Sequence, residues 1–171
     1  MRNRIEPHPM RISFDLDEVL FVQPETHKTE PPLPFPLRCV FKERLRLGAP
    51  ELIHELQRQG FEVWVYTSSY RTERYIRNLF RLYKVRFDSI VNAQRHERDV
   101  QARHKERMPN KMPNYYHISL HVDDEPVIAA LGREHGFNVH MVFEQDDDWA
   151  AKIIARAQKI RNNMKSSPNG Q

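Results

Sequence analysis

Short apolar segments alternate with helix-like segments along most of this chain, and this alternation is the feature that most constrains its fold. Segments that predict strands lie at residues 11–15, 61–66, 87–91, 118–122 and 137–143. Segments with helical spacing or helix-end signals lie at residues 50–59, 71–84, 125–134 and 149–161. Strands that alternate with helices form βαβ units. The pattern therefore predicts an α/β fold with a doubly wound, Rossmann-like, mostly parallel sheet and helices on both faces.

The length of the chain suits one domain, because 171 residues can bury a sizeable core. We predict a single α/β domain at residues 11–161, a lead-in at residues 1–10 and a flexible tail at residues 162–171. Residues 23–36 contain five of the 12 prolines, which predicts a loop or short flap. Residues 92–117 are polar and basic, which predicts an irregular loop.

Composition limits the classes of protein to which the chain can belong. No apolar run is long enough for a transmembrane helix, and the first residues lack the apolar stretch of a secretory signal. Cys39 is the single cysteine, which excludes an internal disulfide framework and a cysteine-rich zinc site. We therefore expect a cytoplasmic protein without a membrane partner. The formal net charge of +4 permits an anionic substrate, including a nucleic-acid end, and leaves the oligomeric state open.

Polar residues follow three of the predicted strands at the point where each strand ends. These residues are Asp15 and Asp17, Thr67 and Ser68, and Asp123 and Asp124. In an open parallel sheet, ligands bind beyond the carboxyl ends of the strands, so we expect the three pairs at one edge. Converging carboxylates suit a hard divalent cation such as Mg²⁺, although solvated acidic pairs in loops are also common. The coincidence of three pairs predicts a functional site.

Four motifs occur in order around these residues. They are Asp15-Leu16-Asp17-Glu18-Val19-Leu20, the strand Val63-Trp64-Val65-Tyr66-Thr67, Lys111 before Met112-Pro113, and Leu120-His121-Val122-Asp123-Asp124. Taken as a set over about residues 11–161, they resemble the motifs of the haloacid dehalogenase (HAD) superfamily of phosphatases and phosphotransferases. The resemblance implies a HAD-like fold. Its cap is expected to be small or absent, because neither interval between the motifs has room for a large one.

The resemblance also implies a role for each acidic residue in the hydrolysis of a phosphate monoester. Asp15 would be the nucleophile that forms an aspartyl-phosphate, and Asp17 would be the general acid and base. Asp15, the main-chain carbonyl of Asp17 and Asp124 would hold a Mg²⁺ cofactor. Asp123 would be a second metal-linked carboxylate or would orient the lysine, and the sequence leaves this choice open.

Three further residues would contact the phosphoryl group of the substrate. Thr67 would donate a hydrogen bond to a phosphate oxygen, with Ser68 as a helper, although both residues could instead cap the helix that follows. Lys111 would neutralise the phosphoryl oxygens. Lys105 and Lys84 compete for this last role, and Lys111 is favoured because it lies a short loop before the strand of the fourth motif.

Other basic residues and histidines are interpreted outside the site. Four arginines recur at near-helical spacing: Arg71, Arg74, Arg77 and Arg81. This spacing predicts a solvated helix face or, alternatively, a surface that follows the phosphates of a polymer. His96 and His104 are expected at the surface, whereas His121 is expected to pack within its strand.

Three classes of function fit the motifs to different degrees. The sequence favours a Mg²⁺-dependent phosphomonoester hydrolase whose open site accepts a bulky phosphorylated substrate, such as a phosphoprotein or a nucleic-acid end. The alternative is a non-catalytic HAD-like protein that binds a phosphoryl ligand or has a regulatory role. A phosphoreceiver domain combines similar residues in a different order, with the acidic pair first and the phosphorylated aspartate on a middle strand, and is disfavoured.

Overall fold

Five parallel strands form the centre of the protein, whose computed structural model describes residues 9–166. The strands are β1 (Arg11–Phe14), β2 (Glu62–Tyr66), β3 (Ser89–Val91), β4 (Ile118–Asp123) and β5 (Val139–Met141). They pair in parallel in the order β3-β2-β1-β4-β5. The prediction of a doubly wound α/β fold is confirmed. Because β1 is central, its carboxyl end lies between those of β2 and β4.

Within the described residues, six α-helices and two short 3₁₀ helices connect and cover these strands. The α-helices are α1 (Leu37–Val40), α2 (Ala49–Arg58), α3 (Glu73–Leu82), α4 (Ala93–Asp99), α5 (Pro126–His135) and α6 (Trp149–Ser166), and the 3₁₀ helices are Gln101–Arg103 and Pro113–Tyr116. Each of the four helices predicted from periodicity is present with its ends moved by a few residues. Within residues 9–166, no helix combines the length and apolar character needed to cross a bilayer.

The two faces of the sheet bury different kinds of side chain. Alternate residues of the central strands join the main apolar core with α2, α3 and α6: Ile12, Phe14, Val63, Val65, Leu120 and Val122. On the opposite face, Trp64 and Tyr66 pack against a second cluster that includes Tyr116. Ser13 and His121, which are paired in register between β1 and β4, alternate with the apolar residues of the main core and are also buried. Asp15 and Asp123 continue this polar alternation toward the carboxyl edge.

The chain makes a short excursion between β1 and α2. The amides of Leu20 and Phe21 both donate hydrogen bonds to the carbonyl of Leu16, which closes a tight turn shortly after β1. Phe21 then pairs with Leu45 through an isolated antiparallel bridge. Between these paired residues the chain contains the proline-rich segment and the four-residue helix α1. This interval is too short for a cap domain, as expected.

The predicted loop at residues 92–117 is wrong, because this segment contains α4 and both 3₁₀ helices. The side chain of Asn92 caps α4 by accepting a hydrogen bond from the amide of Arg95 at 2.9 Å. Only Ala93 and His96 form the buried face of α4, so the segment has too few apolar residues to display helical periodicity. The prediction that His96 lies at the surface is also wrong, because its side chain belongs to the buried face of α4.

The predicted tail at residues 162–171 is also wrong as far as Ser166, where α6 ends. Trp149, Ile153 and Ala157 are the buried residues of α6, at a spacing of four. Arg161 donates a hydrogen bond to the carbonyl of Gln59 at 2.7 Å and holds the next turn against the domain. The helix then continues for another turn without burying a side chain. Residues 167–171, and residues 1–8 of the predicted lead-in, lie outside the described residues.

Candidate active site

The carboxyl ends of β2, β1 and β4 bring together the polar residues that follow them. Asp15 lies one residue beyond β1, and its amide donates a hydrogen bond to the carbonyl of Val122 on β4 at 2.9 Å. Thr67 lies one residue beyond β2, and its amide donates a hydrogen bond to the carbonyl of Val91 on β3 at 2.9 Å. Asp123 is the last residue of β4. Thr67, Asp15 and Asp123 are all buried, so this edge is a preformed polar site rather than a solvated acidic loop.

Lys111 reaches this edge from the segment between α4 and β4. Its Nζ lies 2.5 Å from Oδ2 of Asp123 and 3.2 Å from Oδ1 of Asp15, and its side chain is 2% exposed. Burial lowers the pKa of Lys111, but the two carboxylates outweigh burial and raise it above the usual value. The lysine is therefore charged. Lys105 and Lys84, the two competing candidates, are exposed and form no ion pair within the described residues.

Three carboxylates surround one point beside Lys111. Asp15, Asp123 and Asp124 each offer an oxygen within 4.8 Å of the others. Burial raises the pKa of Asp15 and that of Asp124, and the negative charge of Asp123 raises both further, while Lys111 opposes the rise. Oδ1 of Asp15 is buried and accepts no hydrogen bond from the described residues. A cluster of oxygen ligands with excess negative charge fits a hard divalent cation such as Mg²⁺.

Asp123 differs from the other two carboxylates because protein donors occupy both of its oxygens. Nε2 of His121 and Nζ of Lys111 contact Oδ2 at 2.8 and 2.5 Å, and the amide of Glu125 donates to Oδ1 at 2.9 Å. Burial by itself raises the pKa of Asp123, but these donors hold it well below the usual range. Asp124 is half-buried, and its carboxylate receives no hydrogen bond from another described residue. Asp124 is thus the more available metal ligand of the two.

Thr67 and Ser68 do not cap α3, so that alternative interpretation is wrong. The helix begins at Glu73, and Thr72 caps it by accepting a hydrogen bond from the amide of Tyr75 at 3.2 Å. Thr67 Oγ1 instead accepts a hydrogen bond from the amide of Ser69 at 3.2 Å. Its hydroxyl hydrogen remains available to a ligand at the sheet edge, where Ser68 is exposed.

Asp17 lies at the outer side of the site and is half exposed. Its Oδ2 accepts a hydrogen bond from Nη1 of Arg71 at 2.8 Å, and Nε of Arg71 pairs with Glu43 at 3.1 Å. Arg71 precedes α3 instead of lying on it. The interpretation of Arg71 as part of a solvated helix face is therefore wrong. Nη2 of Arg77 also forms an ion pair, with Oε1 of Glu73 at 2.7 Å. The four arginines therefore do not form one free basic surface.

Tyr66, next to Thr67, holds the segment that carries Lys111. Its hydroxyl accepts a hydrogen bond from the amide of Met112 at 2.8 Å and lies 2.5 Å from Nδ1 of His96. Burial raises the pKa of Tyr66 and lowers that of His96, so both side chains are neutral. The hydroxyl of Tyr66 and Nδ1 of His96 share a hydrogen bond. This contact fixes the main chain directly after Lys111.

Several clefts border residues of the site, and one of about 380 Å³ is lined by Asp124. Another cleft, of about 330 Å³, lies next to Ser68 and is lined by Tyr70, Arg107 and Asn110 among others. A third cleft of about 510 Å³ lies beside Asp17 and Arg71, under the segment that follows β1. The third cleft is the one that reaches the predicted general acid. These clefts are open to solvent.

Sequence reasoning missed several residues that shape this site. His121 was expected only to pack, and it does lie inside the sheet, but it also binds Asp123. Its spacing of two from Asp123 on a strand was a usable signal, because such residues share a face. Glu43 and Tyr66 carried no comparable signal. Their partners Arg71 and Met112 are 28 and 46 residues away in the sequence and meet them only in the folded chain.

No protein-family model matches the chain, and no curated protein matches it significantly. Solved structures do match it. An uncharacterized protein from Listeria monocytogenes is 16% identical over 90% of this chain and 99% of its own, with a TM-score of 0.54. A predicted HAD-like family hydrolase from Porphyromonas gingivalis is 14% identical over 88% and 98%, with a TM-score of 0.50. The HAD domain of an effector protein from Legionella pneumophila, an inactive mutant, is 12% identical over 94% and 99%, with a TM-score of 0.50.

Proposed function

The chain has the haloacid dehalogenase fold, and from the side chains at its sheet edge we propose that it is a Mg²⁺-dependent phosphomonoester hydrolase. The observation that carries the proposal is the convergence of Asp15 and Lys111, 3.2 Å apart, with two further carboxylates around them. A charged lysine beside a carboxylate nucleophile suits a doubly anionic phosphate ester, because it offsets the repulsion between the two anions.

Asp15, Asp124 and the main-chain carbonyl of Asp17 would hold the metal. The buried Oδ1 of Asp15 supports this assignment because it forms an ion pair with Lys111 at 3.2 Å but accepts no hydrogen bond from the described residues. Asp123 would orient Lys111, since its oxygens already accept hydrogen bonds from protein donors. When bound, Mg²⁺ would stabilise negative charge on the phosphoryl oxygens and on Asp15.

The reaction would proceed through two displacements at phosphorus. In the first, a carboxylate oxygen of Asp15 forms a bond to phosphorus while the ester bond breaks, and Asp17 gives its proton to the leaving oxygen. Thr67 and Lys111 bind the phosphoryl oxygens during this transfer. In the second, Asp17 takes a proton from water as the water oxygen attacks phosphorus, and Asp15 leaves as a carboxylate. General acid–base catalysis of this kind contributes about 10²–10⁴-fold.

The position of Asp17 supports an assignment of the leaving-group site. Asp17 faces the cleft of about 510 Å³ and contacts Arg71 there, so a leaving group that takes its proton would occupy the same cleft. The contact with Arg71 has to open for Asp17 to hold a proton that it can donate. An open cleft without a cap domain suits a bulky ester, such as a phosphoprotein or a nucleic-acid end.

A non-catalytic phosphoryl-binding protein is the second candidate. It would need the same Thr67 and Lys111 contacts but neither a nucleophile nor a general acid. The presence of Asp15 and Asp17 in usable positions favours the enzyme. The two candidates differ in one outcome, which is whether phosphate is released.

A phosphatase screen tests the proposal. Phosphate release would be measured with and without Mg²⁺ on small esters, nucleotides, phosphopeptides and oligonucleotides that carry a 3′- or 5′-phosphate. We expect Mg²⁺-dependent release from at least one class, and its loss in Asp15→Asn. Release that is metal-independent or survives Asp15→Asn would contradict the mechanism, whereas binding without release would favour the second candidate. If oligonucleotides are the substrates, their binding should weaken as salt rises.

Two lysine variants provide a matched comparison within this screen. Lys111→Ala should abolish release because the phosphoryl group loses its buried positive charge. Lys105→Ala removes an exposed lysine only six residues earlier and should leave release unchanged. Equal effects of the two substitutions would contradict the role assigned to Lys111.

A further inference from the structure

A continuous chain of buried polar groups runs beneath the candidate site. Oγ of Ser13 lies 2.7 Å from Nδ1 of His121, and Nε2 of His121 lies 2.8 Å from Oδ2 of Asp123. The same Oδ2 contacts Lys111, which in turn lies beside Asp15. Ser13, His121 and Asp123 have no exposed surface. The chain therefore links the middle of β1 and β4 to the residues at their carboxyl ends.

Burial lowers the pKa of His121, so its imidazole is neutral, and the hydrogen bonds around it then allow one arrangement of hydrogens. An ionised carboxylate only accepts hydrogen bonds, so Nε2 of His121 must carry a hydrogen. In a neutral imidazole the other nitrogen is then an acceptor, and the hydroxyl of Ser13 donates to it. Each polar atom of His121 has a partner, as a fully buried imidazole requires. The pair with Ser13 thus selects the tautomer that can bind Asp123.

The histidine also restricts the carboxylate of Asp123. Oδ2 accepts hydrogen bonds from His121 and Lys111, while Oδ1 is held by the amide of Glu125. Three donors on two oxygens fix both the position and the plane of the carboxylate. An aliphatic residue in place of His121 would fit the buried setting of β4 but would leave Oδ2 with Lys111 alone. Lys111 would then have a less rigid partner.

We propose that His121, supported by Ser13, is a positioning residue that fixes Asp123 and through it places the ammonium group of Lys111 for the phosphoryl group. The proposal rests on the phosphatase function proposed above. His121 itself touches neither the substrate nor the metal in this arrangement. Its contribution to the rate comes from geometry, because an error of about 1 Å in the position of a contacting group can cost about 10²-fold.

Substitutions of His121 separate this role from simple packing. We expect His121→Leu to lower kcat by about 10–100-fold and to raise KM by no more than the loss of phosphate affinity, about 10-fold. His121→Gln keeps a donor near the position of Nε2 and should recover kcat to within a few-fold of wild type. Ser13→Ala, a small change that preserves packing, should lower kcat less than His121→Leu does. His140→Leu on the neighbouring strand β5 is the matched control and should leave kcat unchanged.

Two further readouts do not depend on turnover. Long-range ¹H–¹⁵N spectra of the intact protein should show His121 protonated at Nε2 and unprotonated at Nδ1 at neutral pH. Calorimetry with inorganic phosphate and Mg²⁺ should show weaker phosphate binding by His121→Leu, by about 10-fold, with recovery in His121→Gln. If no ester is hydrolysed, the proposed function fails, but these two measurements still decide the positioning role.

The proposal is overturned by either of two results. The first is a histidine protonated at Nδ1, which cannot accept from Ser13 in the arrangement described. The second is a folded His121→Leu protein, with a cooperative thermal transition, whose phosphate affinity and kcat stay within twofold of wild type. If His121→Leu fails to fold, His121→Gln and Ser13→Ala are compared in the same way, and equal phosphate binding by wild type and Ser13→Ala overturns the proposal.

Discussion

Lys111 is a buried ammonium group whose charge is balanced by two carboxylates. Such a group is tolerated in a protein interior only when it is paired and hydrogen-bonded, because removing a charge from water is costly. Asp123 is its closer partner, and Asp15 is the one that the proposed reaction uses. Asp123 therefore holds Lys111 in place, and Lys111 acts beside Asp15 in the proposed reaction.

Removing the charge of Asp123 should destabilise the protein strongly. Asp123→Asn places an amide group among donors and leaves Lys111 with one anionic partner, so we expect a loss of about 3–5 kcal/mol in the free energy of unfolding. Urea titration measures this loss. Asp147→Asn is the matched control, because Asp147 forms an exposed ion pair with Lys28 and its loss should cost less than about 1 kcal/mol. Equal losses in the two variants would contradict the account of Lys111.

Three segments determine how this lysine reaches the sheet: β2, α4 and the 3₁₀ helix Pro113–Tyr116. Tyr66 on β2 links the other two, because its hydroxyl contacts both His96 on α4 and the amide of Met112. These hydrogen bonds join segments that are distant in sequence. The loop that carries Lys111 is thereby attached to the strand that carries Thr67.

Tyr66→Phe tests this attachment. The substitution keeps the ring but leaves the amide of Met112 and Nδ1 of His96 without their partner, so we expect a loss of about 1–3 kcal/mol in stability. The kcat should also fall, because Lys111 is one residue from the released amide. Chemical denaturation and phosphate release are the two measurements. Tyr115→Phe is the control, since the hydroxyl of Tyr115 has no hydrogen-bond partner among the described residues; an effect as large as that of Tyr66→Phe would contradict the attachment.

Local patterns predicted some elements and missed others for identifiable reasons. The strands β1, β2 and β4 were predictable because each contains apolar residues in a short segment that ends at, or one residue before, a polar residue. The helix α4 was not predictable, because its short buried face includes His96, whose burial depends on the hydroxyl of Tyr66 from another strand. The end of α6 was placed too early because its last turn buries no side chain, and its one apolar residue, Met164, is exposed.

In the whole molecule, topology explains why the candidate site could be located from the sequence. The order β3-β2-β1-β4-β5 brings the ends of β2, β1 and β4 side by side, so residues that follow those strands meet. That rule alone predicts that Asp15, Thr67 and Asp123 lie close together. The pairing of Asp17 with Arg71 could not be predicted from that rule. It depends on the exact path of the chain between β2 and α3 and on Glu43, which lies between α1 and α2.

We expect the clustering of negative charge to make the stability of the whole domain depend on Mg²⁺ and on pH. The pKa values of Asp15 and Asp124 are raised in the folded protein from an ordinary value of 3.8. Between the ordinary and the raised values the folded state binds more protons than the unfolded state, so the contribution of these two groups falls as pH rises. Mg²⁺ should reverse this loss, because it binds the ionised carboxylates and competes with protons.

Thermal unfolding with and without Mg²⁺ tests this dependence. We expect Mg²⁺ to raise the unfolding temperature by more at about pH 7 than at about pH 4.5, where part of the Asp15 and Asp124 population is protonated. At 100 times the dissociation constant the stabilisation would be about 2.7 kcal/mol. Asp124→Asn should reduce the effect. A Mg²⁺ effect that is absent, or equal at both pH values, would contradict the proposed metal site.

The central claim is that Asp15 and Asp17 have different roles in a two-step transfer. Asp17→Asn tests it with an aryl phosphate, whose leaving group needs no proton. The first step should then proceed, while the second should stall because no base activates the water.

The decisive measurement is mass spectrometry of peptides from Asp17→Asn protein, quenched in acid shortly after the aryl phosphate is added with Mg²⁺. The account predicts a phosphoryl group on Asp15 in a large fraction of the molecules, and none in an Asp15→Asn, Asp17→Asn double variant. A phosphoryl group on another residue, or substrate consumption with no phosphorylated protein, would contradict it.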